Sequence, residues 1–454
     1  MKKNAIIITI TSIILLAGGT AGARVGYMSN STKDYSDVIY PKVAVEDIDL
    51  SGKTKNEAIK LLQEKYESEV LKKKIAITGT DKTYTIDYAK LNAKYNIEET
   101  VDEAMAYGKN LGLFQKYKLI KTPEQKIYKL KFTYDSNPVK DIVTGMQKEI
   151  DKSPVNAKIT MVSSGKFSVT PEKTGLKLKV DELEKSINDK VNGDISGDAE
   201  VKAPIEVVQA SVTSDSLSKV NTKISSFSTS FSGSSANRSA NIGLATKSIN
   251  GKLLMPGESF SFNDVVGQRT AAKGYKEAPV IVNNKLDSGL GGGICQVSTT
   301  LYNAVMRANI SSTERSHHSL PSHYVALGLD ATVDYGNLDY KFKNTLSSPI
   351  FIEGIISGNS VIFNVYSDRS LSSRTYDLVS ETTDTIQPNT KYIDDPNMYE
   401  GETKIEQPSS IGYKVKVYKK IYENGKLVGQ ETVSSETYNK VDGVIRRGTK
   451  KKEQ

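Results

Sequence analysis

The 454-residue sequence contains one cysteine and three histidines, and all four lie in the same region of the chain. Cys295 follows a run of glycines in GLGGGICQVSTTLYNAV, residues 289–305, and His317, His318 and His323 occur within seven positions in ERSHHSLPSHY. A thiolate attacks carbonyl carbon atoms, and an imidazole can remove or deliver the proton that such an attack requires. The thiol and the histidine cluster are therefore a candidate nucleophile and a candidate base. The alternative is that Cys295 is a small hydrophobic residue at a tight turn.

The residues around Cys295 predict a tight turn that leads into a helix. Glycines at positions 291 to 293 permit backbone angles that other residues disfavour. A cysteine at a helix N-terminus lies near unpaired N–H groups and the positive end of the helix dipole, which favour the thiolate. The N–H groups beside Gly292 and Gly293 could also bind the oxyanion that forms when a thiolate attacks a carbonyl. After Cys295 the apolar residues recur at helical spacing, at Val297, Leu301, Val305 and Ala308.

The histidine cluster supplies the candidate base. Asp330 and Asp334 follow it, and a carboxylate can orient an imidazole as the third member of a catalytic triad does. In the competing interpretation two of the histidines are ordinary loop residues and the third is packed in the protein. The spacing His-His-x4-His fits no common zinc site, and a single cysteine adds little support, so no metal and no other cofactor is predicted.

The N-terminus reads MKKNAIIITITSIILLAGGTAGARVGYM. Lys2 and Lys3 precede an apolar run from Asn4 to Ala23 that has about the length of a membrane-spanning helix. Positive charge before the run predicts a single-pass cell-membrane anchor, with Met1 in the cytoplasm and the bulk of the protein outside, in the cell-wall space. The alternative is a cleaved signal peptide and a secreted form, because Ala21-Gly22-Ala23 is typical of a cleavage site.

Export and charge limit the partners of the protein. An exported chain with one cysteine cannot form an intrachain disulfide, so the thiol of Cys295 is free or paired with another chain. The net charge is +8 and the isoelectric point is about 9.0. Nucleic acid is not expected outside the cell, and a basic surface there is better matched to anionic wall polymers or lipid headgroups. A generic lysine-rich solvated surface explains the same composition.

The composition is that of a globular chain, and the order of predicted elements divides it into several domains. Two successive stretches repeat the order helix, strand, strand, helix. The predicted fold class is multidomain α+β: a transmembrane helix, two small α+β repeats, a central α+β catalytic domain, and a small all-β module after a polar linker. The predicted boundaries are 1–25 for the membrane segment, 26–125 and 126–224 for the two repeats, and 225–368 for the catalytic domain. The linker is predicted at 369–407 and the all-β module at 408–454.

Three long motifs resemble the VanW domain family. They lie within residues 237–366 and read NRSANIGLATKSINGKLLMPGESFSFNDVVGQRTAAKGYKEAPVIV, GGGICQVSTTLYNAV and ERSHHSLPSHYVALGLDATVDYG. The upstream repeats resemble the peptidoglycan-binding modules that often precede this domain, and the tail is similar to G-five domains. Family members with this architecture are recognised as L,D-transpeptidases. The resemblance therefore implies a cofactor-independent cysteine acyltransferase whose partners are peptidoglycan stem peptides.

The resemblance also implies roles for individual residues. Cys295 is the expected nucleophile. His318 is the expected base, because it is the histidine that precedes Ser-x-Pro, and Asp330, in the DATV motif, is the residue expected to orient it. The oxyanion is expected near Gly292 and Gly293.

Leu320 stands where an arginine is common in the family. If that arginine holds a substrate carboxylate, Arg269 or Arg315 is expected to replace it here. Ser298 and Tyr324 are the other two candidates for substrate binding.

The implied reaction begins when the Cys295 thiolate attacks the carbonyl of the third residue of a donor tetrapeptide stem and releases D-alanine. The side-chain amine of an acceptor stem then takes the acyl group, which cross-links the third residues of two stems. Hydrolysis of the same thioester would instead define a cysteine peptidase or amidase, and the sequence does not distinguish amine from water. A non-catalytic peptidoglycan-binding envelope protein is the third interpretation, although a scaffold does not require the glycine–cysteine–helix arrangement.

Overall fold

The computed structural model describes residues 22–282 and 285–451. The chain divides into two compact units. The N-terminal unit comprises Met1–Pro154 and Thr174–Gln209, and the C-terminal unit comprises Val155–Lys173 and Ala210–Gln454. All the residues predicted to form the active site belong to the C-terminal unit.

The N-terminal unit combines amphipathic helices with short sheets. Residues 22–33 are helical, and the further α-helices are Lys55–Leu62, Ser68–Val70, Ile97–Ala106, Leu113–Lys121, Asn137–Ile150 and Val180–Lys190. The strands are Val43–Val45, Ile48–Asp49, Lys74–Thr78, Thr83–Asp87, Lys94–Tyr95, Lys126–Tyr128, Phe132–Thr133, Gly175–Leu178, Ala199–Lys202 and Ile205–Val208. Thr54 and Glu57 begin the helix Lys55–Leu62 with a capping box.

The two predicted repeats share a sheet and a core in this unit. The strand Ala199–Lys202, from the second repeat, pairs in parallel with Lys74–Thr78 from the first. Side chains from both stretches, among them Ile75, Val143 and Leu183, are buried in one hydrophobic cluster. The boundary predicted after residue 125 therefore lies inside a single compact unit, because each stretch covers apolar surface of the other.

The C-terminal unit contains the elements that position the cysteine and the histidines. Its α-helices are Ser214–Ser218, Ala236–Ile249, Phe262–Val266 and Ile294–Arg307. Its strands before residue 370 are Lys158–Ser163, Lys166–Thr170, Thr222–Ser230, Lys252–Leu254, Ser259–Ser261, Glu277–Val282, Lys285–Leu290, Ser312–Glu314, Lys341–Lys343, Ile350–Ser357 and Ser360–Ser367.

A four-stranded antiparallel sheet lies at the centre of this unit. Its order is Thr222–Ser230, Ser360–Ser367, Ile350–Ser357, Lys252–Leu254. The helix Ile294–Arg307, which we call the nucleophile helix, packs on the first two of these strands. Val297, Leu301 and Val305 are fully buried on it, and the helix that the spacing predicts is confirmed, but most of its other residues are buried as well.

A hairpin from the second predicted repeat packs on this central sheet. The hairpin consists of Lys158–Ser163 and Lys166–Thr170. The ring of Phe167 contacts the edges of Phe351 and Tyr366, with ring centroids 5.1 and 5.3 Å apart. The second predicted repeat is therefore not one contiguous body, because its hairpin finds its apolar partners in the C-terminal unit.

Residues 374–450 form two three-stranded sheets, which we call the C-terminal module. The first sheet contains Arg374–Ile386, Gly412–Glu423 and Lys426–Tyr438, and the second contains Thr390–Tyr399, Gly443–Lys450 and Thr403–Gln407. The segment 369–407, expected to be a linker, thus contributes three of these strands. Most of its strand side chains are exposed, so no alternation of apolar and polar residues marks the strands in the sequence.

The predicted fold class requires one correction, which concerns the transmembrane helix. Across residues 22–282 and 285–451, no helix is both long and apolar enough to span a bilayer. Most of the apolar run that led to this prediction, residues 4–21, lies outside the described residues. The multidomain α+β architecture and the all-β C-terminal module agree with the structure.

Replacing Phe167 tests the place of the hairpin in the C-terminal unit. We expect Phe167→Ala to destabilise this unit by about 2 kcal/mol, because a half-buried aromatic side chain loses its contacts with two rings. Hydrogen exchange of Ile350–Ser357 under increasing denaturant measures the change. The matched control is Phe114→Ala in the N-terminal unit, where the side chain is 68% exposed. Equal protection of the central sheet in both variants would contradict the assignment.

Candidate active site

A glycine turn sets the position of Cys295 at the start of the nucleophile helix. Gly293 is the N-cap and has a φ of +103°, in the region that favours glycine. A Cβ atom at Gly292 would lie 2.6 Å from the carbonyl oxygen of Pro279, so no side chain fits there. Glycine is therefore required at position 292 because a neighbouring backbone packs closely there, and at position 293 because φ is positive.

Asn241, which the sequence analysis does not single out, holds this turn in place. Its Nδ2 donates to the carbonyl oxygens of Lys276 and Gly292 at 2.9 and 3.1 Å, and its Oδ1 accepts from the N–H of Lys276 at 2.8 Å. The side chain is fully buried. Its position within the motif NRSANIGLAT is the only signal in the sequence that could have indicated it.

Cys295 is the second residue of the nucleophile helix and is half-buried. Its Sγ shares a side-chain hydrogen bond with His318 and lies 3.4 Å from the carbonyl oxygen of Val333. At this position the unpaired N–H groups and the dipole of the helix favour a negative charge on the sulfur.

His318 links the cysteine to Asp330. Its Nδ1 lies 2.5 Å from Oδ2 of Asp330, and its backbone N–H donates to the same oxygen at 2.7 Å. Because an ionised carboxylate only accepts hydrogen bonds, the proton of this pair belongs on Nδ1, and Nε2 is the nitrogen left for Cys295. The structure thus brings together the predicted nucleophile, the predicted base and the predicted orienting carboxylate in the order of a catalytic triad.

These contacts shift the pKa of each group toward its charged form. Burial raises the pKa of the Cys295 thiol, but the hydrogen bond and charge of His318 outweigh burial, and the net pKa is lowered. Burial lowers the pKa of His318, yet Asp330 and Cys295 raise it to about 9. Burial raises the pKa of Asp330, whereas His318 and Tyr438 lower it to about 2. Each shift therefore favours the charged form of its group: the thiolate of Cys295, the imidazolium of His318 and the carboxylate of Asp330.

The C-terminal module contributes side chains to this site. The hydroxyl of Tyr438 donates to Oδ1 of Asp330 at 2.5 Å. Arg315 pairs with Glu436 from the same strand of the module and donates to the carbonyl oxygens of Asp330 and Gly328 at 2.6 and 2.9 Å. Arg315, one of the two arginines expected to hold a substrate carboxylate, is therefore engaged by groups of the protein itself.

Two other arginines flank the glycine turn. Arg269 donates from Nη1 to Oδ1 of Asn263 at 2.7 Å, while its Nη2 is buried and has no hydrogen-bond partner in the part of the chain that the structure describes. Arg238, which the sequence analysis does not single out, donates from Nη2 to Oε1 of Gln296 at 2.8 Å. The positive charge of Arg269 adds to the effect of His318 in lowering the pKa of Cys295.

The two remaining substrate-binding candidates occupy different environments. Ser298 is fully buried on the nucleophile helix, and its hydroxyl donates to the carbonyl oxygen of Ala331 at 2.5 Å. Its contacts are thus with the protein core. Tyr324 lies at the site, with its ring edge toward His318 and the ring centroids 6.5 Å apart.

The other members of the histidine and aspartate cluster have different surroundings. His317 contacts the carbonyl oxygen of His318 through Nδ1 at 2.7 Å, and its Nε2 is 3.3 Å from Glu436. His323 is exposed. Asp334 accepts from Asn337 in a local turn at 2.7 Å. Among the described residues, no group of three or more histidine, cysteine, aspartate or glutamate side chains is arranged to hold a metal ion.

Comparison with protein families gives three matches along the chain. Residues 84–200 match the family described as "Putative peptidoglycan binding domain", residues 237–366 match "VanW like protein", and residues 378–450 match the G5 domain. Residues 237–366 are thus similar to VanW-like proteins. The first match spans the boundary predicted between the two repeats, and the third begins inside the predicted linker. The three domains together indicate a protein associated with the cell wall.

Two curated relatives match over part of their length. YoaR of Bacillus subtilis, an uncharacterized protein, is 48% identical over 134 residues, which cover 30% of this chain and 44% of YoaR. The vancomycin B-type resistance protein VanW of Enterococcus faecalis is 31% identical over 134 residues, which cover 28% of this chain and 49% of that protein. The matched part of the chain thus spans less than half the length of each of these relatives.

A solved G5 domain of IgA1 protease is 25% identical to this chain. The alignment covers 17% of this chain and 90% of the solved domain, with a TM-score of 0.14. That score is too low to support a structural argument.

The pH dependence of alkylation tests the thiolate. We expect iodoacetamide to modify Cys295 at pH values well below the ordinary thiol pKa, because His318 and Arg269 stabilise the thiolate. In His318→Ala the imidazolium no longer opposes the effect of burial, which raises the pKa of Cys295. The midpoint of the rate–pH curve should therefore move upward by at least about one pH unit. His323→Ala, which removes an exposed histidine, is the matched control and keeps the wild-type midpoint. An unchanged midpoint in His318→Ala would show that His318 does not activate the thiol.

Proposed function

We propose that this protein is a cell-wall L,D-transpeptidase that cross-links the third residues of two peptidoglycan stem peptides through a thioester on Cys295. The observation that carries the proposal is the hydrogen-bonded series Cys295, His318 and Asp330 at the start of a helix that follows a glycine turn. The location of this series between a peptidoglycan-binding domain and a G5 domain supports a wall peptide as the substrate.

In the acylation step Sγ of Cys295 attacks the carbonyl carbon of the third residue of a donor tetrapeptide. The electron pair of the carbonyl moves to its oxygen, and N–H groups at Gly292 and Gly293 stabilise the resulting oxyanion. The bond to the terminal D-alanine then breaks, and its nitrogen takes the proton from Nε2 of His318. The enzyme is left as a thioester with a neutral His318.

In the second step the side-chain amine of an acceptor stem attacks the thioester carbonyl, and His318 takes the proton that the amine loses. The bond to sulfur breaks, which regenerates the thiolate and the imidazolium. Asp330 keeps the imidazole in one orientation throughout and stabilises its charged form. A pKa of about 9 for His318 keeps it protonated at neutral pH, as the leaving D-alanine requires.

Arg269 is the best-placed cation for the carboxylate of the departing D-alanine. Arg315 is occupied by Glu436 and two carbonyl oxygens, whereas Arg269 has a guanidinium nitrogen without a partner among the described residues. Tyr324, beside His318, supplies a second group for contact with the stem. We further propose that the protein works in the cell-wall space, where its net charge of +8 favours anionic wall polymers as secondary partners.

Incubation with a tetrapeptide stem tests the proposed reaction directly. Wild-type protein should release D-alanine and gain the mass of the acylated tripeptide, whereas Cys295→Ala should do neither. With an acceptor stem present, a cross-linked product identifies a transpeptidase, and free tripeptide alone identifies a peptidase. His323→Ala serves as the active control. The proposal fails if wild-type protein forms no adduct, or if Cys295→Ala still releases D-alanine.

The adjacent histidines provide a second test. We expect His318→Ala to lower the acylation rate constant by at least about 100-fold, because the leaving nitrogen loses its proton donor. His317→Ala should cost much less, because His317 contacts Glu436 and a carbonyl oxygen and not the sulfur. Single-turnover mass spectrometry of both variants gives the rate constants, and equal losses would contradict the assignment of the base.

A further inference from the structure

We propose that Tyr438, from the C-terminal module, is a positioning residue of the active site, and that the module is therefore part of the catalytic unit. The inference rests on the proposed function for its effect on turnover, but its structural basis is independent of which acyl group the enzyme transfers. It follows from the hydrogen bonds of Asp330, because its two oxygens accept from donors in two different domains.

Asp330 receives its hydrogen bonds from opposite sides. Oδ2 accepts from the ring and the backbone N–H of His318, within the VanW-like domain. Oδ1 accepts from the hydroxyl of Tyr438 at 2.5 Å, and Nη2 of Arg315 lies 3.6 Å from the same oxygen. The carboxylate is 1% exposed, so water cannot replace a lost donor. The module thus supplies the hydrogen bond that prevents the carboxylate from rotating away from His318.

Tyr438 is itself rigidly held. It is the last residue of the strand Lys426–Tyr438 and is 1% exposed. Its hydroxyl accepts from the N–H of Gly328 at 2.7 Å while it donates to Asp330, so both roles of the hydroxyl are used. The edge of its ring meets His317 at a centroid distance of 5.0 Å. A group fixed by these contacts orients its partner precisely in space.

The contact between the module and the VanW-like domain is close and apolar around this hydrogen bond. Val417 and Leu378 of the module are buried in the same hydrophobic cluster as the nucleophile helix. A Cβ atom at Gly328 would lie 2.6 Å from Val417, so the backbone of the VanW-like domain directly contacts the module there. Arg315 and Glu436 add a buried ion pair beside it. These contacts fix the distance between Tyr438 and Asp330.

Tyr438→Phe in the full chain tests the inference, because it removes only the hydroxyl and leaves the ring. We expect the acylation rate constant to fall about 10-fold with an unchanged KM, since a hydrogen bond to a buried charge is lost from the group that orients the base. Tyr413→Phe is the matched control. Tyr413 is the residue opposite Tyr438 on the neighbouring strand, and among the described residues its hydroxyl has no hydrogen bond to the site.

A measurement without substrate separates this inference from the proposed function. The chain has three histidines, so the Hδ1 proton of His318 can be assigned by proton NMR with His317→Gln and His323→Gln. In Tyr438→Phe we expect this proton to exchange with water about 10-fold faster than in wild type, whereas Tyr413→Phe leaves it unchanged. A wild-type exchange rate in Tyr438→Phe at unchanged thermal stability overturns the inference, whether or not stem peptides prove to be the substrate.

If exchange accelerates but no stem peptide reacts with wild-type protein, the positioning role stands and the proposed substrate is wrong. If stems react and Tyr438→Phe keeps both the wild-type rate constant and the wild-type exchange rate, the module is not part of the catalytic unit.

Discussion

The burial of the Asp330 carboxylate is the constraint on which the arrangement of the active site depends. A negative charge that is 1% exposed is stable only if hydrogen-bond donors and positive charges surround it. Here the donors come from His318 on one side and Tyr438 on the other, with Arg315 behind. Each of these residues is in turn held by its own contacts, so satisfying one carboxylate fixes the loop that carries the base and the strand that carries the tyrosine.

From this carboxylate, charges of alternating sign extend in both directions. On one side lie His318, whose pKa is raised to about 9, and Cys295, whose pKa is lowered, and on the other lie Arg315 and Glu436. Interactions of this kind are strong in a poorly solvated interior, where each charge lowers the cost of burying its neighbours. The same series explains why a half-buried thiol has a lowered pKa. The hydrogen bond and charge of His318 lower this pKa, and the N-terminus of the helix favours the same negative charge.

The side chains around the candidate active site come from more than one of the matched family domains. The VanW-like match ends at residue 366 and the G5 match begins at residue 378, yet Tyr438 and Glu436 of the second domain contact Asp330 and Arg315 of the first. In the same way, a hairpin from the peptidoglycan-binding region packs on the central sheet of the C-terminal unit. Apolar surfaces are buried where they fit best, irrespective of sequence boundaries.

Short-range patterns in the sequence account for Cys295 and its helix. Glycine is required where φ is positive or where another backbone passes within contact distance, and apolar residues with a period of 3.6 predict a helix. Both features therefore follow from neighbours in the chain. The family resemblance adds His318 and Asp330. The strands of residues 374–407 were not predicted, because exposed strands lack alternation, and the membrane-helix prediction was not supported.

What the sequence by itself determined is therefore the position of Cys295 as the candidate nucleophile, the turn that presents it and the region that contains the candidate base. Only the tertiary structure decided which arginine is occupied, that Ser298 is in the core, and that Tyr438 completes the environment of Asp330. The physical reason is separation along the chain: Tyr438 lies 108 residues from Asp330. A hydrogen bond over that distance follows no spacing rule. The sequence contains 24 tyrosines, and no local pattern distinguishes Tyr438 from the others.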